Sequence, residues 1–328
     1  TRLCRDWSSD VCSSDLLGNT EGVYPSKIKG RGLVKYDRLY EFQTAYVCEP
    51  GGETEYVKSV CASLTLMSSK TAKKIPILPE TVDLDFINAD ISTLSAVPVG
   101  VAKSSLQVSK FDFQSKFISV VTAHDAVTLG SFSLALAQVL TKIEAVKVVY
   151  IDAMKMIEKR EDLLVAYHND QFNEIIKDIF TELVTRNNEY KDSGLNHQVL
   201  EKYTREVYLI SGIKNLMSIL GTDEKDKLKV LLEKGEAIYK MHFILCEGIS
   251  DLSAVSFESW YKRHIAGNEG IWIGDGIADQ FTLKVSKMNQ SLYDEVGGQF
   301  GYTLTKGKPM LMKALSLKIN EGEGDSDE

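Results

Sequence analysis

The stretch Thr122-Ala123-His124-Asp125-Ala126-Val127-Thr128 joins an apolar run to an amphipathic one. At a strand-to-helix junction, backbone N–H groups wrap a phosphate when the loop reads G-x-x-x-x-G-K-[ST]. The glycines allow close approach, the lysine meets the β- and γ-phosphates, and the hydroxyl holds magnesium. This loop has no Lys, and no Gly at the needed positions. Asp125 would set a negative charge where phosphate belongs; equally, an Asp before a helix caps its free N–H groups. His124 also reads as a solvated loop residue. Two other strand ends are polar: Asp152 closes the run 146–151, and Ser211-Gly212 follows 206–210. Asp152 reads equally as a turn residue at a strand end. The five histidines are scattered. The five cysteines, Cys4, Cys12, Cys48, Cys61 and Cys246, form no CxxC pair and have no His at zinc-ligand spacing. No metal site and no nucleophile triad is expected. The cysteines read as reduced thiols, with a Cys48–Cys61 disulfide left open.

The elements that position these residues follow from hydrophobic pattern. Residues 117–121 form a short apolar run suited to a buried strand. Leu129, Phe132, Leu136, Val139 and Leu140 then recur at helical spacing. Residues 146–151, 206–210 and 241–245 are further buried strands. Runs at 99–101 and 106–113 precede them, and runs at 271–273, 280–285 and 309–315 follow. Phe172, Ile175, Ile176, Ile179, Phe180, Leu183 and Val184 mark one face of a long helix. Residues 223–238 are helical, their charges forming a solvated face. Buried strands separated by helices imply an α/β fold, a mainly parallel sheet with helices on both faces. Upstream, 18–80 shows no long helix. There 30–35 and 39–45 alternate as two strands joined at Tyr36-Asp37, and a Ser-, Thr- and Lys-rich linker runs to Pro76 and Pro79. The opening TRLCRDWSSDVCSSDL repeats SSD, lacks the parts of a signal peptide and resembles a translated adapter. The natural sequence is expected to begin in mid-protein, near Leu17.

Hydrophobic residues make up 44% of the 328 and charged ones 26%, enough apolar chain for a full core. No stretch approaches the roughly 20 apolar residues of a membrane helix. The net charge is -8. Five acids lie in the last eight residues, so the body is only mildly acidic. A DNA-tracking surface needs a basic excess or stripe. Clusters such as Lys70, Lys73 and Lys74 do not interleave with aromatics, and no nucleic-acid partner is expected.

Several segments carry a resemblance. GRGLVKYDRLYEFQTA at 30–45 resembles the closing strands of an FtsK/SpoIIIE-type ATPase domain. KIPILPE at 74–80 resembles a connector between such modules, and VPVGVAKSSLQVSKFDF at 97–113 the opening of the last one. GIWIGDGIADQF at 270–281 and GYTLTKGKPMLMKAL at 301–315 resemble its end. The combination, over residues 17–317, is more specific than any piece. On it the chain resembles the type VII secretion ATPases, the EssC/EccC family. Gly307-Lys308-Pro309 and Gly30-Arg31-Gly32 form a weak internal repeat in keeping with tandem modules. The resemblance implies a RecA-like P-loop NTPase fold and four regions. Residues 1–16 are artefact-like. Residues 17–80 are the end of a preceding ATPase domain plus linker. Residues 81–317 are a degenerate C-terminal FtsK/SpoIIIE-like ATPase domain, and 318–328 an acidic, disordered tail.

In that resemblance 122–128 stands at the phosphate loop, Asp152 ends the strand after the P-loop helix, and 207–210 is the magnesium-binding strand. An active motor carries Asp-Glu after that last strand; this chain has Ser211-Gly212. The nucleotide site is therefore expected to be degenerate. Thr122, His124, Asp125, Thr128, Asp152, Ser211 and Gly212 occupy its positions without its chemistry, and no catalytic residue is expected. No cofactor is expected in this module, ATP and magnesium belonging to the parent motor. The parent is implied to be anchored at the cytoplasmic face of the membrane and to export small helical-hairpin proteins with a Trp-X-Gly turn. The last module would recognise their tails in an apolar groove. Ile213, Leu216, Met217, Phe257 and Trp260 are the candidate contacts, although Trp260 and Trp272 also read as core packing. The other expected partners are further modules of the same motor, with the membrane reached only through the part preceding this sequence. Two alternatives stay open: a module that still hydrolyses ATP through an altered loop, and a DNA translocase, against which the acidic balance stands.

Overall fold

The computed structural model describes residues 24–45, 47–49, 51–67, 75–155, 164–166, 168–265 and 267–317. The adapter-like opening, Lys70, Lys73, Lys74 and the acidic tail 318–328 lie outside them. The chain divides into two compact units, Thr1–Ile75 and Pro76–Glu328.

In the first unit, β1 (Arg31–Lys35) and β2 (Leu39–Gln43) pair antiparallel, Val34 opposite Tyr40. Residues 46–80, read from sequence as a helix-free linker, contain α1 (Glu53–Met67). The reason lies within the segment. Glu53–Met67 holds no Gly or Pro, and Tyr56, Val57, Val60 and Leu64 recur at helical spacing. Glu53 and Glu55 in the first turn favour the helix dipole. Cys48 and Cys61 are free thiols.

The second unit is built on a ten-stranded sheet. Its strands are β3 (Val97–Ala102), β4 (Val108–Phe111), β5 (Ile118–Ala123), β6 (Val146–Asp152), β7 (Leu164–Ala166), β8 (Arg205–Ser211), β9 (Met241–Gly248), β10 (Gly270–Ile273), β11 (Phe300–Thr305) and β12 (Lys308–Ala314). The order is β4-β3-β12-β11-β10-β5-β9-β8-β6-β7. From β10 to β7 every pair is parallel. From β10 to β4 every pair is antiparallel. The helices are α2 (Leu84–Ile87), α3 (Ala126–Thr141), α4 (Asn169–Asp192), α5 (Ile213–Ile219), α6 (Thr222–Lys234), α7 (Ile249–Ala254) and α8 (Ser259–His264). Parallel strands need crossovers, and helices on both faces make the strands apolar throughout. α3 lays Phe132, Leu136 and Leu140 on one face, with Tyr150, Leu209 and Ile244 in the same cluster. On the other, α4 and α6 bring Phe172, Ile176, Leu228 and Leu231 to a cluster with Val149, Ile210 and Phe243. Each such side chain contributes roughly 1.5–3 kcal/mol of burial.

Residues 280–285 alternate like a strand but form a loop. The Gln280 amide donates to Ile277 O at 3.0 Å and to Leu283 O at 2.7 Å, and accepts from Leu283 N at 2.7 Å. One side chain thus takes the backbone groups that a neighbouring strand would have taken, and Phe281 is left 94% exposed. No helix among the described residues is long and apolar enough to cross a membrane.

Candidate functional site

Parallel strands gather their carboxyl ends along one edge of a sheet, and ligand sites of α/β folds lie there. Five chain segments meet at that edge here: the ends of β5, β6, β8, β9 and β10. Six of the seven nucleotide-position residues lie at the strand ends and the junctions that follow them, with Thr128 in the first turn of α3. Register pairs Thr122 of β5 with Glu247 of β9 and with Trp272 of β10. It also aligns Asp152, Ser211 and Cys246 across β6, β8 and β9.

The β5–α3 junction is short. β5 ends at Ala123 and α3 begins at Ala126, so only His124 and Asp125 connect them. Asp125 is the N-cap. Its Oδ2 accepts the Thr128 backbone N–H at 2.7 Å and the Thr128 hydroxyl. Those two hydrogen bonds, the hydroxyl's first, hold its carboxyl below the usual range. His124 is exposed and meets the Trp272 ring edge-on, centroids 5.1 Å apart. Trp272 is in turn fixed by its Nε1, which donates to Gly274 O and Asp275 O at 3.0 Å each. Thr122 is buried, and its hydroxyl has no hydrogen-bond partner among the described residues.

The β8–α5 junction is set by Gly212, whose φ is +83°. A Cβ there would lie 2.6 Å from Met154 Cγ. A glutamate at this position would need both a left-handed backbone and displacement of Met154. Asn215 of α5 donates to Ala153 O and ties the end of β6 to the same corner.

Glu247, which sequence reading did not single out, completes the edge. It is the penultimate residue of β9 and is 2% exposed. Its Oε2 accepts the Lys214 N–H at 3.1 Å. Burial, less the contribution of nearby backbone N–H groups and with Asp251 adding, raises its carboxyl to about 7. The available signal was an acid closing the apolar run 241–246. Beside it, burial raises the Cys246 thiol, which stays protonated. Beneath α3 the Tyr150 hydroxyl shares a 2.7 Å hydrogen bond with Ser133 Oγ.

Two cavities flank His124. One, about 180 Å³, is lined by His124, Met154, Ser211, Cys246, Glu247 and Asp251 among others. It brings together His124 and Ser211. The other, about 450 Å³, is lined by His124, Asp125, Asp275, Asp279, Asp294 and Glu295 among others, with no Lys or Arg. Asp275 is committed to the loop, accepting the Val296 and Gly297 N–H groups. No group of three or more His, Cys, Asp or Glu suited to a metal ion occurs among the described residues.

The expected groove contacts are distributed differently. Ile213, Leu216, Met217 and Trp260 are at most 6% exposed and belong to the α4–α6 face of the core. Only Phe257, 68% exposed, faces solvent. The first four residues are apolar because they hold α5 and α8 to the sheet.

No protein-family model matches the sequence, and no curated protein does. Solved structures do match. EssC ATPases 2 and 3 from Geobacillus thermodenitrificans superpose with a TM-score of 0.67 at 14% identity, covering 95% of this chain and 60% of that one. Thermomonospora curvata EccC ATPases 2 and 3, solved with a signal sequence peptide, give 0.55 at 15% identity, covering 90% and 55%. The pCW3 conjugation coupling protein TcpA, solved with ATPγS, gives 0.53 at 14%, covering 80% and 82%. The chain therefore has the RecA-like P-loop ATPase fold, and it spans about three fifths of the EssC structures it matches.

Proposed function

We propose that this chain is the C-terminal ATPase-like module of a type VII secretion motor. In this reading it does not turn over ATP, and it serves to recognise secreted helical-hairpin proteins or to regulate the motor. The observation that carries the reading is the Asp125 carboxylate seated on the N-terminus of α3. The fold implies ATP with magnesium at that place. The residues present do not fit them in the usual mode. The N–H group and hydroxyl that would face a phosphate and its magnesium are already bonded to Asp125. A carboxylate 4 Å from a phosphate charge opposes it by ~1 kcal/mol in bulk water and ~4 kcal/mol near a protein surface. There is no lysine in the junction, and Gly212 leaves no room for the second acid of a magnesium-binding pair. Thr122, His124, Thr128, Asp152 and Ser211 are then the remains of a nucleotide site.

Recognition of secreted proteins is supported by the fold shared with EccC, which was solved with a signal sequence peptide. Phe257 is the exposed residue from which an apolar contact would begin. In this reading the chain works at the cytoplasmic face of the membrane, beside other modules of its motor. A second reading, an active module, is favoured by Glu247. A carboxyl with a pKa of about 7 in a cleft is suited to general acid–base work.

Calorimetric titration of the full chain with Mg-ATP, with phosphate release followed on the same sample, separates the two. Neither heat nor phosphate is expected. Turnover lost on Glu247→Gln would establish the second reading and end the first. Binding of a cognate substrate tail to the same sample tests recognition, and no binding by any cognate tail would remove it.

A further inference from the structure

A cluster of lysines stands at the edge of the sheet opposite the candidate site. β11 ends at Thr305 and β12 begins at Lys308, leaving Lys306-Gly307 as a two-residue hairpin turn. Both residues have positive φ, +53° and +73°, as the turn that matches sheet twist requires. A second segment lies against this turn. Ser286 N donates to Gly307 O at 2.8 Å and Ser286 Oγ to the same oxygen at 3.0 Å. A Cβ on Gly307 would lie 3.0 Å from Lys284 O. Lys284 and Lys287 are thereby brought beside Lys306 and Lys308, and all four are exposed.

The charges are not spent internally. Lys110, Lys202 and Lys214 each meet a carboxylate. None of these four forms an ion pair among the described residues. Residues 281–288 and 305–310 contain no Asp or Glu, in a chain of net charge -8. The same segments expose apolar side chains: Phe281 at 94%, Met288 at 43% and Met310 at 39%. Gln280 fixes the loop so that Phe281 stays outside. The turn lies at the amino edge of the parallel strands, because Gly270, the first residue of β10, pairs with Leu304. The cluster lines none of the cavities described above.

We propose that this edge is a docking surface for an anionic lipid bilayer, with Lys284, Lys287, Lys306 and Lys308 meeting headgroups and Phe281 entering the interface. Flexible ammonium stems suit a diffuse layer of negative charge, and an exposed aromatic beside them suits the interfacial region. The apolar residues sit on exposed loops rather than in a groove, which favours a membrane over the acidic segment of a partner protein. The surface lies away from His124 and Asp125, so the proposal does not depend on whether that site holds nucleotide.

The test is co-sedimentation of the full chain with phosphatidylcholine vesicles, with and without roughly 30% phosphatidylglycerol. Binding is expected only to the anionic vesicles at about 0.05 M salt, with release at about 0.5 M. Each lysine is worth roughly a fivefold change in partitioning, so Lys306→Glu with Lys308→Glu should weaken binding at least about tenfold. Phe281→Ala should weaken it with the salt dependence kept. Thermal melts of the variants should match the parent, since all three positions are at the surface. No binding to anionic vesicles would overturn the proposal. So would equal binding to neutral vesicles, an unchanged double variant, or an equal loss in the distant Lys177→Glu. Capture of polyglutamate but not vesicles would also overturn it, in favour of an acidic protein partner.

Discussion

Replacing Asp125 by Ala removes both hydrogen bonds that close the start of α3, to the Thr128 N–H and to the Thr128 hydroxyl. Loss of an N-cap side chain costs ~1 kcal/mol, within about 0.5–2. For a domain of this size that lowers the melting midpoint by about 2 to 4 °C. Asp125→Asn keeps an acceptor of equal capping rank and should melt within about 1 °C of the parent at pH 7. The pH dependence has a definite sign. The folded pKa of Asp125 is depressed by its hydrogen bonds. Its contribution is therefore present above the unfolded value of about 4 and is lost as pH falls through the lower, folded value. The gap between parent and Asp125→Ala should accordingly narrow in acid. Scanning calorimetry from pH 7 down to about pH 3 reads all of this. A midpoint for Asp125→Ala equal to the parent at pH 7 would refute the cap. It would also free the helix terminus for a phosphate, and with it the reading of the site.

Three other outcomes follow from the same geometry. Glu247 has a folded pKa raised by burial to about 7, so stability should fall as pH rises from its unfolded value of about 4.5 to 7 and level off above; Glu247→Gln should flatten that decline, read as melting midpoint against pH. Arg186, 2% exposed, donates to Glu182, to Glu206 at 3.0 Å and to Tyr239 O at 2.7 Å, and Arg186→Met should cost ~3 kcal/mol or more in urea unfolding because Glu206 loses its main partner in a buried setting. Gln280→Ala frees three backbone groups of the loop that carries Phe281; it should leave the global midpoint nearly unchanged while speeding chymotryptic cleavage after Phe281 severalfold, since local opening no longer has to break that staple.

The parallel half of the sheet was legible because burial on both faces forces continuous apolar runs. Residues 118–123, 146–152, 205–211 and 241–248 have that pattern, and the helix at 126–141 shows its period plainly. Residues 280–285 misled because alternation records side-chain periodicity, whereas a strand needs free backbone partners, and Gln280 takes them. α1 was missed because none of its residues is buried, so its apolar positions were diluted by Ser and Thr. At the site, the junctions carrying His124, Asp125 and Ser211 could be placed from the strand ends alone. Glu247 could not, because its importance lies in accepting the Lys214 N–H, 33 residues away. The opposite error assigned Ile213, Leu216, Met217 and Trp260 to a groove, since sequence does not separate an apolar residue that packs from one that waits for a partner.

At the carboxyl edge two helix starts draw on side-chain carboxyls of this chain. In a nucleotide-dependent protein the bound anion stabilises the folded state by an amount that grows with the logarithm of its concentration over the dissociation constant, and helix N-termini are where that anion acts. Here Asp125 serves α3, and Glu247, from the adjacent strand, serves α5. The two carboxylates differ in a way their settings explain. Asp125 is in solvent and stays ionised, its charge held by two donors. Glu247 is buried, so its charge is costly and its proton is retained to near neutrality. Both helix starts are satisfied by covalently attached groups whose effective concentration never falls. The melting midpoint should therefore be indifferent to added Mg-ATP even far above millimolar levels, where a site with a dissociation constant near 0.1 mM would already contribute more than about 1 kcal/mol. A midpoint that climbs with ATP would mean that one of the two caps gives way to phosphate, and the short β5–α3 junction makes Asp125 the one to examine.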